Sequence, residues 1–314
     1  MNFPYPPPSS PPPPPLSEEW VLDEDYIQLS ASRPVRMLQH VEATSFRRHS
    51  HAFTELVMIQ EGSIGHETFD GDGRQQTLEV QGGDFLVIPP GLVHGYGEGH
   101  SCRRMDICYL AEWFLWDLNL LWTEGLVPLF FASHLFRRAE NLQIWRFRLS
   151  QQEIATCERE LHDISCEYLE ATPSLLFIRS TFFKILVILA RAWRRQTVQG
   201  DLHFRPEIWR ALQSVDSCIK DGRNFRIDAF AHDVGLAPKS FSRLFHAATG
   251  LSPSEYFGRR RTQHAAHLLL ESDLSIGAIA ARLGYCDSAH RSRAFLQNES
   301  ISPRTFRSRY RLTD

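Results

Sequence analysis

The last third of the chain carries one pattern twice, about fifty residues apart. In the first copy Ala231 lies four positions before Gly235, and Phe241 and Phe245 follow at helical spacing. This order predicts a supporting helix, a tight turn and a second helix. Two copies are too few for a solenoid, so we expect a duplicated module with a two-part target. The recurring residues are Ser242, Arg243, Phe245, Ser252 and Pro253, matched by Ser292, Arg293, Phe295, Ser302 and Pro303.

A helix is predicted between the two copies. Ser252, Pro253 and Glu255 have the order of a capped helix start, with the proline at the first helical position and the glutamate reaching back to the backbone. The pattern continues to about Leu270, which at roughly 1.5 Å per residue gives on the order of 25 Å. Successive major-groove faces of duplex DNA lie roughly 34 Å apart, so such a helix fits two units that read neighbouring grooves.

Residues 224–311 resemble the AraC/XylS family of bacterial transcription regulators. The resemblance follows the segment IDAFAHDVGLAPKSFSRLFHAATGLSPSEYFGRRRTQHAAHLLLESDLSIGAIAARLGYCD almost without a gap. It implies an all-α domain with two helix-turn-helix subdomains on one connecting helix. Each subdomain is then expected to place a recognition helix in the major groove of double-stranded DNA.

The resemblance also assigns DNA contacts to particular positions. Arg243 and Arg293 carry the strongest expectation, because an arginine that pairs with guanine through two hydrogen bonds contributes about 1–3 kcal/mol of discrimination. The second copy departs from the first at Arg291, which replaces the aromatic Phe241, and at Ser300, which replaces Gly250. The assigned positions are Lys239, Ser240, Ser242, Arg243, Ser288, His290, Ser292 and Arg293.

The charge distribution agrees with a DNA-binding C-terminal region. The formal net charge is −3, yet residues 204–314 hold 17 Lys and Arg against 11 Asp and Glu, a local net of +6. The excess of acidic groups lies in the preceding part of the chain. A basic module attracts phosphates even within an acidic protein.

We predict an α+β protein of two domains from the changes in pattern along the chain. Short segments rich in β-formers with glycine-bearing turns predict a β-barrel, and later three-four spacing predicts two helices. These helices are expected to form a homodimer contact, or alternatively to cap the barrel. The predicted parts are a disordered proline-rich tail (1–19), a cupin-like sensor domain (20–150), a helical dimerisation segment (151–196), a linker (197–206) and the DNA-binding domain (207–314).

A cytoplasmic location is expected from two features. The six cysteines have neither metal-ligand spacing nor the density of a disulfide scaffold. The apolar stretch 175–193 contains Arg179, Lys184 and Arg191, so we predict a packed helix there and no membrane partner.

Histidines in the β-rich region resemble both motifs of the cupin barrel. His49, His51 and Glu55 precede Gly62, and His94 follows a second glycine-containing turn. Alternate residues of a strand point to one side, so positions 49, 51 and 55 were expected to share an interior with 53, 57 and 59. In cupin enzymes the matching residues bind a divalent metal, for which imidazole and carboxylate are suitable ligands.

Three uses of this interior stay open from the sequence. The first is a metal site of His49, His51, Glu55 and His94. The second is a small-molecule effector, a carbohydrate or related metabolite, bound by the same residues with Tyr96. The third is a purely structural barrel. The leading functional hypothesis is a ligand-responsive transcription regulator, and the alternative is a metal-dependent cupin enzyme fused to a DNA-binding module.

Overall fold

The computed structural model divides the chain into two compact units. The first combines residues 1–111 with 142–200, and the second combines 112–141 with 201–314. The proline-rich tail and most of the predicted linker lie outside the described residues. Those described are 20–22, 27–30, 33–41, 45–69, 74–115, 118–136, 143–196, 205–285, 295–296 and 301–310.

A curled, cupin-like sheet of eight strands forms the first unit, as the sequence predicts. Its order is β1-β3-β7-β4-β6-β8, with β2 on β7 and β5 on β4, and only the β1–β3 pair is parallel. The strands are β1 (Trp20–Leu22), β2 (Val35–His40), β3 (Phe46–His51), β4 (Thr54–Phe69), β5 (Gln75–Gln81), β6 (Asp84–Ile88), β7 (His94–Tyr109) and β8 (Trp145–Arg148).

The long strands β4 and β7 determine which side chains meet inside the sheet. Their antiparallel register pairs Val57 with Asp106 and Ile59 with Arg104. Directly paired residues project to the same side of a sheet. Val57 and Ile59 are fully buried in an apolar cluster with Ile64, so Arg104 and Asp106 enter the same interior.

Two helices cover the face of the sheet that lies opposite to the interior of Arg104 and Asp106. They are α3 (Gln151–Glu167) and α4 (Leu175–Gln196), and α3 begins with a capping box between Ser150 and Glu153. The predicted interpretation of 175–193 as a packed helix agrees with the structure, because Phe182 is buried on α4 and meets the Tyr109 ring at 5.0 Å. Among the described residues, no helix combines the length and the apolar composition of a membrane crossing.

The second unit is helical, and its first helix-turn-helix follows the prediction. The turn at Gly235 has a φ of +72°, and the helices on either side of it bury Ala231, Phe241 and Phe245. Gly250 ends the second of these helices in the left-handed region, at a φ of +70°. The helices of this unit are α1 (Leu118–Thr123), α2 (Ala132–Leu135), α5 (Pro206–Lys220), α6 (Ile227–Asp233), α7 (Pro238–Thr249), α8 (Pro253–Glu271), α9 (Ile276–Arg282) and α10 (Pro303–Tyr310).

The connecting helix α8 has the predicted start. The Ser252 side chain accepts from the backbone N–H of Glu255, and the Glu255 carboxylate accepts from the backbone N–H of Ser252 at 2.8 Å. Pro253 occupies the first turn. After α9, Gly284 repeats the left-handed turn at a φ of +69°. Residues 295–296 of the second predicted recognition helix are described and helical, but the departures at Arg291 and Ser300 lie outside the described residues.

Residues 112–141 pack within the second unit, although they fall inside the sensor domain of 20–150 drawn from the sequence. Trp122 stacks on Trp209 of α5 at 4.4 Å, and Phe136 stacks on Tyr256 of α8 at 6.1 Å. Gln263 of α8 donates to a backbone carbonyl of the segment at 3.2 Å. The apolar side chains of this segment are therefore buried on helices that follow it by about 70 residues or more.

Candidate functional site

Four of the predicted ligands come together inside the curled sheet. His49, His51, Glu55 and His94 are all buried, and one possible ligand atom from each lies within 4.8 Å of the others. The two first histidines are on β3, the glutamate is on β4 and His94 begins β7. Positions 49–59 were expected to form one strand, but a bend at 52–53 divides them between β3 and β4. The sheet register still brings the four side chains to one place, since His49 pairs with His94.

Hydrogen bonds to the backbone determine how two of these rings are oriented. The Nδ1 of His49 lies 2.8 Å from the Arg47 carbonyl, and the Nδ1 of His51 lies 2.7 Å from the Phe53 carbonyl. A carbonyl oxygen only accepts, so each Nδ1 carries a proton and donates it. In the neutral rings both Nε2 atoms therefore keep a lone pair, which is the form that a metal ligand requires.

Lone pairs meet at close range in the centre of the cluster. The Nε2 of His51 lies 3.1 Å from Oε2 of Glu55 and 3.1 Å from Nε2 of His94. The same glutamate oxygen lies 3.4 Å from His94. Two acceptors at this distance repel each other unless a proton or a cation lies between them. The four residues therefore suit either a proton on Nε2 of His94 or a cation that all four contact.

His66 is the outer partner of His94. Its Nε2 lies 3.2 Å from Nδ1 of His94, and the two rings stack at 5.3 Å. When Nε2 of His94 serves as a ligand, its Nδ1 carries the proton and donates it to His66. Such outer hydrogen bonds orient metal-binding histidines and set their tautomer. The Nδ1 of His66 is buried without a hydrogen-bond partner.

Burial keeps three of these histidines, His49, His66 and His94, neutral. It lowers the pKa of His49 to about 3 and that of His66 to about 4, in both cases as the largest cause. Burial also lowers the pKa of His94 well below its ordinary range, and the neighbouring histidines and Arg104 lower it further. A neutral imidazole is available to a metal or to a hydrogen-bonding ligand at ordinary pH.

A buried ion pair lies beside the histidines. The Nε of Arg104 donates to Asp106 at 3.1 Å, and His40 approaches the other carboxylate oxygen at 3.0 Å. Burial alone would raise the pKa of Asp106, but Arg104 and His40 outweigh it and hold the pKa well below its usual range. The Arg104 guanidinium carbon lies 3.7 Å from the centre of the Tyr96 ring.

The residues present fit a divalent transition metal. Three imidazoles and one carboxylate are ligands that zinc, iron, nickel or copper accept. The backbone partners of His49 and His51, and His66 behind His94, supply the outer hydrogen bonds of such a site. A bound ion would supply a Lewis-acidic anchor for an oxygen atom of a ligand. Tyr96, the fifth predicted ligand residue, lies in the same interior with its ring 6.1 Å from that of His94.

Sequence reasoning missed His66, Arg104 and Asp106. All three are buried next to the predicted residues, and long-range pairing of β4 with β7 places them there. A signal was available in the alternation of β7, since Cys102, Arg104 and Asp106 follow each other at every second position and have polar or ionisable side chains. That alternation marks one face of a strand but not which face is interior.

The first candidate DNA-contacting helix, α7, exposes the predicted basic residues. Lys239 and Arg243 are exposed and stand four positions apart, so they lie on one face of the helix. Phe241 and Phe245 bury the other face, with ring centres 5.5 Å apart. Ser240 and Ser242 are half-buried, and the Ser242 hydroxyl donates to the Pro238 carbonyl at 2.9 Å, which leaves only its acceptor sites for DNA.

The corresponding positions of the second copy are not described. Ser288, His290, Ser292 and Arg293 lie outside the described residues. Their assignment to DNA contacts stays a prediction. The structure does describe the helix and turn that precede them, where Ile279 and Leu283 are buried as Phe230 and Val234 are in the first copy.

Two family models match the chain, and the first of them also covers the segment 112–141, which packs within the second unit. Residues 35–165 match the model described as an AraC-like ligand binding domain. Residues 230–309 match the model described as a helix-turn-helix domain. Together the two matches cover well over half of the chain.

Curated relatives match along most of their length. The transcriptional activator RhaR of Yersinia pestis bv. Antiqua (strain Angola) is 27% identical over 288 residues, which cover 91% of this chain and 92% of the relative. The transcriptional activator RhaS of Enterobacter sp. (strain 638) is 28% identical over 293 residues, or 88% of this chain and 93% of the relative. Among solved structures, ToxT from Vibrio cholerae aligns over 88% of this chain and 97% of its own, with 12% identity and a TM-score of 0.42.

Proposed function

Because the chain belongs to the AraC family of transcription regulators, we propose that it binds a specific operator in bacterial DNA and alters transcription in response to a small ligand held inside the curled sheet. Family membership confirms the prediction of a DNA-binding regulator rather than an enzyme. The ligand is a carbohydrate or a related metabolite, and the protein acts in the cytoplasm, where its DNA target lies.

The observation that carries this proposal is the exposed basic face of α7. The helix follows a tight turn, buries Phe241 and Phe245, and leaves Lys239 and Arg243 in solvent at one side. An arginine in this position can form two hydrogen bonds with guanine, and a lysine can contact phosphate. Ser242 and Arg243 recur in the second copy as Ser292 and Arg293, which supports a second recognition helix on the same duplex.

Operator binding is tested by fluorescence anisotropy with duplexes from the region upstream of the protein's own gene. We expect preferential binding over an unrelated duplex of equal length, with an affinity that falls steeply as salt rises. Arg243→Ala should weaken specific binding roughly 5- to 150-fold, from a loss of about 1–3 kcal/mol. Arg74→Ala, which removes an exposed arginine just before β5, is the matched control and should change affinity less than about twofold.

The double replacement of Arg243 and Arg293 gives a sharper result. It should abolish the preference for the upstream duplex and leave weak binding that does not depend on the DNA sequence. An upstream duplex bound no better than unrelated DNA, or unchanged preference in the double variant, would refute operator recognition by these helices.

We propose that α3 and α4 also make the homodimer contact. Leu169, Leu176 and Phe177 lie near the turn between these helices, and Leu176 is 77% exposed. Clustered exposed apolar side chains of this size are typical of an interaction surface. A second copy of the chain is the expected occupant, because most soluble oligomers are homo-oligomers and the two-fold dimer is the commonest of them.

Sedimentation velocity tests the dimer. The wild-type chain should sediment as a dimer, and Leu176→Glu should shift it to a monomer by placing a charge in the contact. Leu120→Glu is the control, since Leu120 is also exposed but lies in the segment that packs with the second unit. A monomeric wild-type chain, or a dimer that survives Leu176→Glu, contradicts this assignment.

We further propose that His49, His51, Glu55 and His94 hold a divalent metal that takes part in ligand binding. The support is the close approach of lone pairs at Glu55 and His51, which a cation relieves. His49 and His51 both carry their proton on Nδ1, which keeps a lone pair on Nε2. The measurement that tests this metal site closes the Discussion.

A further inference from the structure

Three buried polar groups beside the histidine cluster have no hydrogen-bond partner among the described residues. They are Nδ1 of His66, the hydroxyl of Tyr96 and Nη1 of Arg104. Each of the three residues is at most 2% exposed. An unpartnered polar group in this environment carries a desolvation cost that a bound ligand can remove.

The three groups gather around one ring. The Tyr96 ring lies 3.7 Å from the Arg104 guanidinium carbon and 4.9 Å from the His66 ring. His66 and Tyr96 are also direct neighbours across β4 and β7. The positive charge of Arg104 lowers the pKa of His66 and of His94, which agrees with its proximity to both.

All three groups can act as hydrogen-bond donors, and each therefore pairs with an acceptor atom. Nη1 of Arg104 can only donate, and the Tyr96 hydroxyl can donate its proton. His66 carries its proton on Nδ1 whenever its Nε2 accepts from His94. The ligand must therefore bring acceptor atoms, and an arginine favours an anionic one.

We propose that the effector is an acidic one: a small carboxylate with a further hydroxyl or carbonyl oxygen, such as a sugar acid or another hydroxy acid. Its carboxylate accepts from Arg104 and Tyr96, with His66 as the third donor, and its second oxygen lies toward the cluster of His49, His51, Glu55 and His94. This inference rests on the proposed function and makes the ligand class narrower.

The test uses the full-length chain loaded with cobalt(II), whose visible absorption reports changes at the cluster. The probes are two matched pairs, D-galacturonate with D-galactose and L-lactate with propane-1,2-diol, titrated to about 10 mM, near the weak end of useful ligand affinity. We expect each acid to change the spectrum with an affinity at least tenfold higher than its neutral partner. Chain treated with a chelator should lose this preference for acids in a thermal-shift titration.

Two variants connect the effect to particular atoms. Arg104→Lys keeps a positive charge beside Asp106 but removes the planar set of donors, and it should weaken binding of the acid about 10- to 100-fold. Tyr96→Phe removes only the hydroxyl and should weaken binding of the acid about tenfold. This second variant keeps the test valid if Arg104→Lys folds poorly. His232→Ala, at an exposed position of α6, is the control and should bind like wild type.

The outcomes separate this inference from the proposed function. Neutral partners that bind as well as the acids, acids without any spectral effect, or wild-type affinity in both variants would overturn the inference. Operator binding is measured in the same preparations by anisotropy. If the chain prefers the upstream duplex but not the acids, the proposed regulator function stands and only the acidic effector is refuted. If the chain binds the acids but prefers no duplex, the regulator function is refuted instead.

Discussion

Two buried arginines, one in each unit, differ in how completely they are paired. In the helical unit, Arg260 donates through Nε and Nη2 to the two oxygens of Asp216, both at 2.9 Å, and through Nη1 to Gln263 at 2.7 Å. In the curled sheet, Arg104 reaches Asp106 through Nε, and its Nη1 has no partner. Both guanidiniums are almost fully buried.

The difference separates a structural pair from a binding group. The Arg260 pair joins α8 to α5 and is complete within the protein. Burial alone would raise the pKa of Asp216, but Arg260 and His264 outweigh it and hold the pKa well below the usual range. Arg104 retains an unused donor beside two other unpartnered groups. A polar network that is complete stabilises the fold, and one that is incomplete is a candidate for a ligand.

The largest expected effect is on the stability of the helical unit. Asp216→Ala leaves Arg260 as a buried charge without its carboxylate and should cost about 3–5 kcal/mol in free energy of unfolding. Native-state hydrogen exchange of the amides in α5 and α8 measures this loss in that unit alone. Asp233→Ala, at an exposed position of α6, is the control and should cost less than about 0.5 kcal/mol. A loss below about 1 kcal/mol for Asp216→Ala would refute the structural role of the pair.

The turn glycines of the two helix-turn-helix copies, Gly235 and Gly284, differ in the space around them. Both have a left-handed φ, but a Cβ on Gly284 would lie 2.4 Å from the Gly222 carbonyl oxygen, whereas a Cβ on Gly235 would meet nothing within 4 Å. Gly284→Ala should therefore cost about 2–4 kcal/mol, and Gly235→Ala only about 1–2 kcal/mol of backbone strain. Equal losses in urea unfolding would show that the turn after α9 does not pack closely against the turn after α5.

A buried histidine of the helical unit predicts a pH dependence. Burial lowers the pKa of His134 from 6.5 to about 3, and Arg259 adds to this. Below about pH 6.5 the unfolded chain binds a proton that the folded chain does not, so this stability is complete above that pH and is lost as the pH falls toward 3. Between pH 7 and 5, wild type should lose about 2 kcal/mol more than His134→Leu in urea unfolding. Equal losses would contradict a neutral His134.

The smallest effect compares two tyrosines of the first unit. The Tyr168 hydroxyl donates to the Val35 carbonyl at 2.8 Å, so Tyr168→Phe should cost about 1–2 kcal/mol. The Tyr96 hydroxyl has no partner, so Tyr96→Phe should leave stability unchanged or raise it by up to about 1 kcal/mol. Thermal unfolding of both variants without ligand checks this. A larger loss in Tyr96→Phe would mean that its hydroxyl is already satisfied.

Much of the fold could be predicted from local patterns. The cap of Ser252 and Glu255, the glycine turn at Gly235 and the buried aromatic pair of α7 all follow from residues close together in sequence. The same holds for the spacing of His49 and His51 on one strand. Local signals of this kind determine helix ends, turns and strand faces.

What could not be predicted depends on contacts between distant residues. Arg104 reaches the interior only because the register of β4 and β7 pairs it with Ile59. The segment 112–141 has no strong periodicity, and its place in the second unit depends on contacts such as that of Trp122 with Trp209. Register and long-range packing are set by the whole core, so a single segment carries little information about them.

The measurement that tests the account most directly is the metal content of the purified chain. After equilibrium dialysis against zinc(II) and removal of free ion, wild type and His232→Ala should each retain one zinc per chain, and His94→Ala should retain none while it keeps the wild-type far-UV circular dichroism. Wild type without bound zinc, or equal retention by His94→Ala, would contradict the claim that the incomplete cluster inside the curled sheet is a ligand site built around a metal.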